Sequence, residues 1–215
     1  MNKQAGFTLI ELAIVLVIIG LLLGGVLRGQ ELINSARVKS LTREFQNIQV
    51  YIYGYQDRFR TLPGDDPAAA THLAGATQGA VALAGNGLIN GAWNSGNVAD
   101  ESYLFWQHVR LAGLAPGSTA TGTPEFEPRN SNGGRIGVQS IAAGFATING
   151  MTGAYAVCSD LILGRDATQL DTTLDDGNTA TGNLRVVATG VPGAALPTAT
   201  ITAAAAAQYT VCMAI

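Results

Sequence analysis

Glu11 is the only ionisable side chain between Phe7 and Leu27, in a run otherwise apolar apart from glycine and Thr8. A carboxylate left single deep in a bilayer costs about 2.5–3.5 kcal/mol, so its chemistry there is that of an acid in want of an opposite charge. Cys158 and Cys212 stand in strand-like surroundings, AYAVC and QYTVC. Outside the cytoplasm such a pair most simply forms a disulfide, which would close a loop of about 53 residues and restrain the unfolded chain by roughly 4 kcal/mol. Two buried, reduced thiols are the other reading. Five aspartates, Asp160, Asp166, Asp171, Asp175 and Asp176, fall within SDLILGRDATQLDTTLDDGN. Asp171, Asp175 and Asp176, followed by Gly177, make an oxygen-rich segment able to hold calcium. The spacing is not that of a D-x-D-x-D-G loop, and a solvated acidic turn is the plainer reading. His72 and His108 have no acid or nucleophile partner evident in the sequence, and with the two cysteines they lack zinc-ligand spacing. Calcium is therefore the one cofactor considered, and otherwise none is expected.

The elements that carry these residues begin with MNKQAG, a polar leader holding one cation, Lys3. The apolar run from Phe7 to Leu27 would cover roughly 30 Å as a helix, about one bilayer core. A secretory signal peptide places its cleavage site after such a run, at small residues, and RGQELINSARVKS offers no convincing site. An ordinary signal anchor, with Lys3 held on the cytoplasmic side, leaves Glu11 without an assigned partner.

Beyond Arg28 the pattern turns amphipathic. Val38, Leu41, Phe45, Ile48, Ile52, Tyr55, Phe59 and Leu62 recur at alternating spacings of 3 and 4, one stripe along a helix. A two-stranded coiled coil would use such a stripe. We expect it instead to be buried against the chain's own C-terminal body, since that body must rest on something and the stem is its nearest apolar surface. Pro63-Gly64 is the first firm stop.

GFTLIEL, Gly6 to Leu12, resembles the processing signature of type IV pilins and of the pseudopilins of type II secretion systems. The likeness rests on a small polar leader ending in Gly6, then Phe7, Thr8, Leu9, Ile10 and Glu11, then an apolar stretch. It implies that a membrane aspartyl peptidase cuts between Gly6 and Phe7 on the cytoplasmic side and methylates the new amine of Phe7. It also implies that Glu11 pairs with the N-terminal amine of a neighbouring subunit during filament assembly. The residue types suit this: Gly6 permits close backbone approach at the scissile bond, and a charge pair in low dielectric selects register more than it adds stability. One departure is Arg28, where many major pilins place a helix-kinking proline.

From residue 63 the composition is rich in Gly, Ala, Thr and Asn, with Asn-Gly turn signals at Asn86, Asn90, Asn132 and Asn149 and Asp-Gly at Asp176. LFWQHVRLA reads as a helix capped by Asp100 or Ser102 and ended by Gly113, with Trp106 in the core. RIGVQSI, TGAYAVCSDLI, NLRVVAT and AQYTVCMAI read as strands. GDD, Gly64 to Asp66, reads as the turn that ends the stem. The expected fold is α+β and pilin-like: a long N-terminal helix, membrane-spanning then amphipathic, packed against a small C-terminal antiparallel sheet. The expected divisions are a leader at 1–6, a stem at 7–62 (7–27 membrane-spanning, 28–62 amphipathic) and a head at 63–215.

Residues 1–62 carry seven Lys/Arg against four Asp/Glu, and 63–215 carry five against eleven, a positive stem and an acidic head. An acidic head argues against nucleic acid as a partner. No nucleophile elbow, H-E-x-x-H, phosphate loop or dinucleotide fingerprint is present, so the chain is expected to be a substrate of the processing enzyme and not an enzyme. The resemblance implies an inner-membrane precursor with its head in the periplasm, then a pilus or pseudopilus subunit. Its partners would be the peptidase, an inner-membrane assembly platform, other subunits and membrane lipid. The competing expectation is a periplasmic ligand-binding or enzymatic domain tethered by a signal anchor.

Overall fold

The computed structural model describes residues 9–80, 82–144, 148–190, 193–201 and 207–215. Helix α1 runs Leu9–Phe59, and the chain divides into two compact units, Met1–Arg37 and Val38–Ile215. In the first unit α1 continues through Gly20, Gly24, Gly25 and Gly29, and its large apolar side chains from Leu9 to Leu27 are exposed.

The second unit is built on the remaining length of α1. Val38, Leu41, Phe45, Ile48, Ile52 and Tyr55 are buried, and Leu62 beyond the helix end is buried with them. Phe59 is half-buried and lies against the ring of Tyr55 in a tilted arrangement, with centroids 4.6 Å apart. The stripe read from the sequence is thus covered by the chain's own head. Against it lie α3 (Glu101–Leu111) and a four-stranded antiparallel sheet of β1 (Ile136–Ser140), β2 (Tyr155–Leu163), β3 (Leu184–Ala188) and β4 (Gln208–Ala214), in the order β1-β2-β4-β3. Alternation along the strands divides their side chains between two faces. Val138, Val157, Leu184, Val186, Val211 and Met213 join the core that holds the α1 stripe, while Ala156, Cys158, Val187 and Cys212 face the other way, onto Trp93 and Ile148. Both faces are covered, which explains why the strands read as nearly continuous apolar runs.

Cys158 and Cys212 are register partners on β2 and β4 and are joined by a disulfide. Its place is the smaller cluster, on the far side of the sheet from the stripe. A bulge follows between Ser159 and Ile162, where Leu161 has a φ of 54°.

α3 begins at Glu101 after Asp100 and is followed by Gly113 at a φ of 74°. Asp100 occupies the cap position, but its carboxylate accepts hydrogen bonds from Ser95 Oγ and Asn97 Nδ2 in place of helix N–H groups. Trp106 is buried as expected. Two helices are additional to the sequence reading. The short α2 (Ala69–His72) follows the end of the stem, and α4 (Gly164–Leu174) occupies the stretch read as an acidic turn. Asp and Thr are weak helix formers; α4 is held by the burial of Ala167 and Leu170.

Truncating the fully buried Phe45 to alanine is expected to cost about 3–5 kcal/mol of head stability, while Val50→Ala, at an exposed α1 position, should stay within about 0.5 kcal/mol. Replacing both cysteines by serine should cost about 2–5 kcal/mol. Denaturant unfolding of the full chain in detergent, followed by tryptophan fluorescence, checks all three.

Candidate functional site

The segment with the sharpest chemical signal is the start of α1. Its most apolar 18-residue window has a mean hydropathy of 2.8 with none of it buried, so the helix is long and apolar enough to cross a membrane. Glu11 lies in the first helical turn, exposed, where an acid suits the positive end of the helix dipole. The leader, Gly6 and Phe7 lie outside the described residues.

A second group of polar residues joins the C-terminal end of α1 to the head. GDD does more than turn the chain: Asp65 and Asp66 are buried. Asp66 accepts hydrogen bonds from the Tyr55 hydroxyl at 2.7 Å, from His72 Nδ1 at 2.7 Å and from the Ala68 N–H at 2.9 Å. Burial alone would raise its pKa, but these donors and the charge of His72 together hold the carboxyl below its usual range. Asp65 accepts from the N–H groups of Gly85, Asn86 and Gly87, yet burial still leaves its carboxyl raised. His108, fully buried on α3, accepts from the Gly64 N–H at Nδ1 and donates from Nε2 to the Thr77 carbonyl. Burial lowers its pKa, against the Thr77 carbonyl and Asp66, and this bonding pattern requires the neutral ring. Gly64 is at a φ of 91°, and a Cβ there would stand 2.3 Å from the Glu101 carbonyl oxygen, so no other residue fits this crossing.

These contacts give His72 an acid and His108 two backbone partners. The chain separates them from their partners, Asp66 in one case and Gly64 and Thr77 in the other, so spacing alone could not pair them. Two adjacent acids directly after a helix-stopping Pro-Gly were the available signal. What the network does chemically is position. It ties the C-terminal end of α1, the turn after it and α3 into one unit.

The third group is the acid segment. Asp171 lies in the last turn of α4, Asp175 caps the helix and Asp176 follows, with one carboxylate oxygen of each within 4.8 Å of the others. Asp171 is fully buried. Burial, reinforced by the charges of Asp176 and Asp175, pushes it up to about 6, with the Gly177 N–H acting the other way. The fold therefore brings together the three residues singled out in the sequence, although as a helix end with a buried member and not as a solvated turn. Asp160 is placed elsewhere, on β2, where its carboxylate accepts from the Arg135 N–H. Asp166 is buried near the start of α4.

Residues 1–27 match the family described as the prokaryotic N-terminal methylation motif, the signature of type IV pilins and pseudopilins. The match is confined to these residues, and the motif implies processing by a prepilin peptidase. No curated protein and no solved structure matches the chain.

Asp66→Asn is expected to cost about 1–3 kcal/mol at pH 7, because an amide cannot accept from all three donors. A carboxyl held low in the folded state contributes stability that is complete above its unfolded pKa of about 4 and is lost as pH falls through the lowered folded value. The gap in thermal midpoint between wild type and Asp66→Asn should therefore be widest at neutral pH and shrink below about pH 4.

Proposed function

From the methylation motif at its N-terminus, we propose that the chain is a structural subunit of a type IV pilus or a type II secretion pseudopilus. It is made as a single-pass inner-membrane precursor with its head in the periplasm, cut after Gly6, methylated at Phe7 and extracted from the membrane into a helical filament. The observation that carries this reading is the match of residues 1–27 to the motif. Two further features support it: the large apolar side chains from Leu9 to Leu27 are exposed, and Glu11 is the one carboxylate among them, at the position where the motif has it.

In this reading α1 serves two solvents in turn. Lipid covers residues 9–27 in the precursor, and equivalent helices of neighbouring subunits cover them in the filament. A pairing of Glu11 with the amine of another subunit would fix the axial register of an added subunit. The peptidase and methylase activities belong to another protein, and this chain is its substrate. His72 and His108, the side chains best suited to proton transfer, are occupied in holding the head to α1.

Two variants separate maturation from assembly. Gly6→Leu should leave an intact mass that still includes residues 1–6 and lacks the methyl group. Glu11→Gln should be cut and methylated normally, while its recovery in sheared filaments falls at least tenfold, the consequence of leaving a buried amine single at about 3–5 kcal/mol. A mature mass unaffected by Gly6→Leu would instead favour a head merely tethered by a signal anchor.

A further inference from the structure

We propose that the cleft between α1, α3 and the start of β1 binds a carboxylate carried on a flat apolar body, with the Arg110 guanidinium and the Tyr51 hydroxyl as its donors. Arg110 is buried on α3. Its Nε donates to the Pro116 carbonyl at 3.2 Å, and its Nη1 donates to the carbonyls of Ser118 at 2.8 Å and Phe126 at 2.7 Å. A guanidinium has five N–H groups, so the two on Nη2 are left over. Holding the loop carbonyls accounts for Nε and Nη1 but not for Nη2. Every acceptor is a neutral carbonyl, and among the described residues no carboxylate lies within ion-pair distance of Arg110. The ring faces of Phe126 and Trp106, 5.0 and 5.5 Å from its Cζ, ease the charge without cancelling it. A buried cation without an anion is costly, and one that lines a cleft points to an anion from outside the chain.

The cleft has a volume of about 270 Å³, near the small end of ligand pockets. Ile48, Tyr51, Trp106, Pro116, Pro128 and Ile136 supply its apolar walls. Tyr51 is half-buried on α1, and its hydroxyl makes no hydrogen bond among the described residues; burial raises its pKa, with the charge of Arg110 acting the other way. Glu44 also lines the cleft, but its carboxylate accepts the Ser131 N–H and the Ser40 hydroxyl. Glu44 stands two helical turns from Tyr51, about 10 Å along α1. Arg129, at the exposed rim, is paired with Glu127 at 3.5 Å. The uncompensated charge is therefore at the Tyr51 and Arg110 end.

This donor set selects the charged group of the ligand. The N–H pair of one nitrogen and a neighbouring hydroxyl match the two oxygens of a carboxylate, one negative charge against one positive. A phosphate would bring nearly two charges to a single cation. The Trp106 ring and the proline rings suit a flat apolar body behind that carboxylate.

The probe is benzoate, titrated by calorimetry into the full chain in detergent, with detergent alone as the blank for partition into micelles. One benzoate per chain is expected. Acetate, which lacks the ring, and benzyl alcohol, which lacks the charge, should each bind at least tenfold more weakly. Tyr51→Phe keeps the ring and removes a donor, and Asn47→Trp, at an exposed position lining the cleft, narrows the mouth. Each should weaken benzoate about tenfold with the thermal midpoint close to that of wild type. Both leave the Arg110 clamp on the loop intact, so lost binding is not lost folding. Arg129→Gln should change the affinity less than about threefold. The absence of saturable benzoate binding to wild type would overturn the proposal. So would benzyl alcohol binding as tightly as benzoate, or unchanged affinity in Tyr51→Phe or Asn47→Trp. A larger loss from Arg129→Gln than from Tyr51→Phe would move the anion to the rim and overturn the assignment to Arg110.

Discussion

The burial of one stripe of α1, from Val38 to Tyr55, is the contact on which the head depends. The core that joins α3 to the inner face of the sheet contains Leu41, Phe45, Ile48 and Ile52 as members, not as a surface laid on from outside. At about 1.5–3 kcal/mol for each large side chain buried, this stripe is a major share of what orders the second unit. The same helix that exposes apolar residues at its start is thus also the central element of the head core, and the change from one role to the other is written in the switch from a uniform to a 3-and-4 pattern.

Where the stripe ends, packing gives way to polar bonding. Tyr55 is the point of exchange: its ring lies in the apolar row and its hydroxyl reaches Asp66. Buried acids are expensive unless each lone pair is met, and Asp65 and Asp66 divide six donors between them, three each. The return is orientation. Apolar contacts alone tolerate sliding and rotation, whereas a carboxylate met by a hydroxyl, an imidazole and a backbone N–H accepts one arrangement of α1, α2 and the intervening turn.

Much of this was legible in the sequence because periodicity and turn chemistry act locally. Three of the four strands fall within the stretches read as strands and β2 runs one residue past its own, α3 falls around LFWQHVRLA, and the cysteines pair across β2 and β4. What escaped was decided at a distance. α4 is poor in helix formers, and its Ala167 and Leu170 become a reason for helix only once the sheet is there to cover them. His72 looked partnerless because Asp66 reaches it through a turn of the chain, and Asp171 looked solvated because the helix that buries it was not foreseen. At the N-terminus the order is reversed: the motif is readable from residue types alone, while Gly6 and Phe7 lie outside the described residues.

The strand order β1-β2-β4-β3 carries a consequence for how the head is made. β4 occupies the gap between β2 and β3, and β3 has β4 as its ladder partner. Until β4 arrives, β2 has one edge open and β3 has two, and open edges are templates for pairing with other chains. Pairing so distant in sequence is also slow to form. Because Cys158 and Cys212 sit opposite each other in the native register, their oxidation marks a β4 that has inserted correctly. A strand displaced by one residue would turn the two thiols to opposite faces of the sheet. The bond thus records a β4 that sits in its native register between β2 and β3.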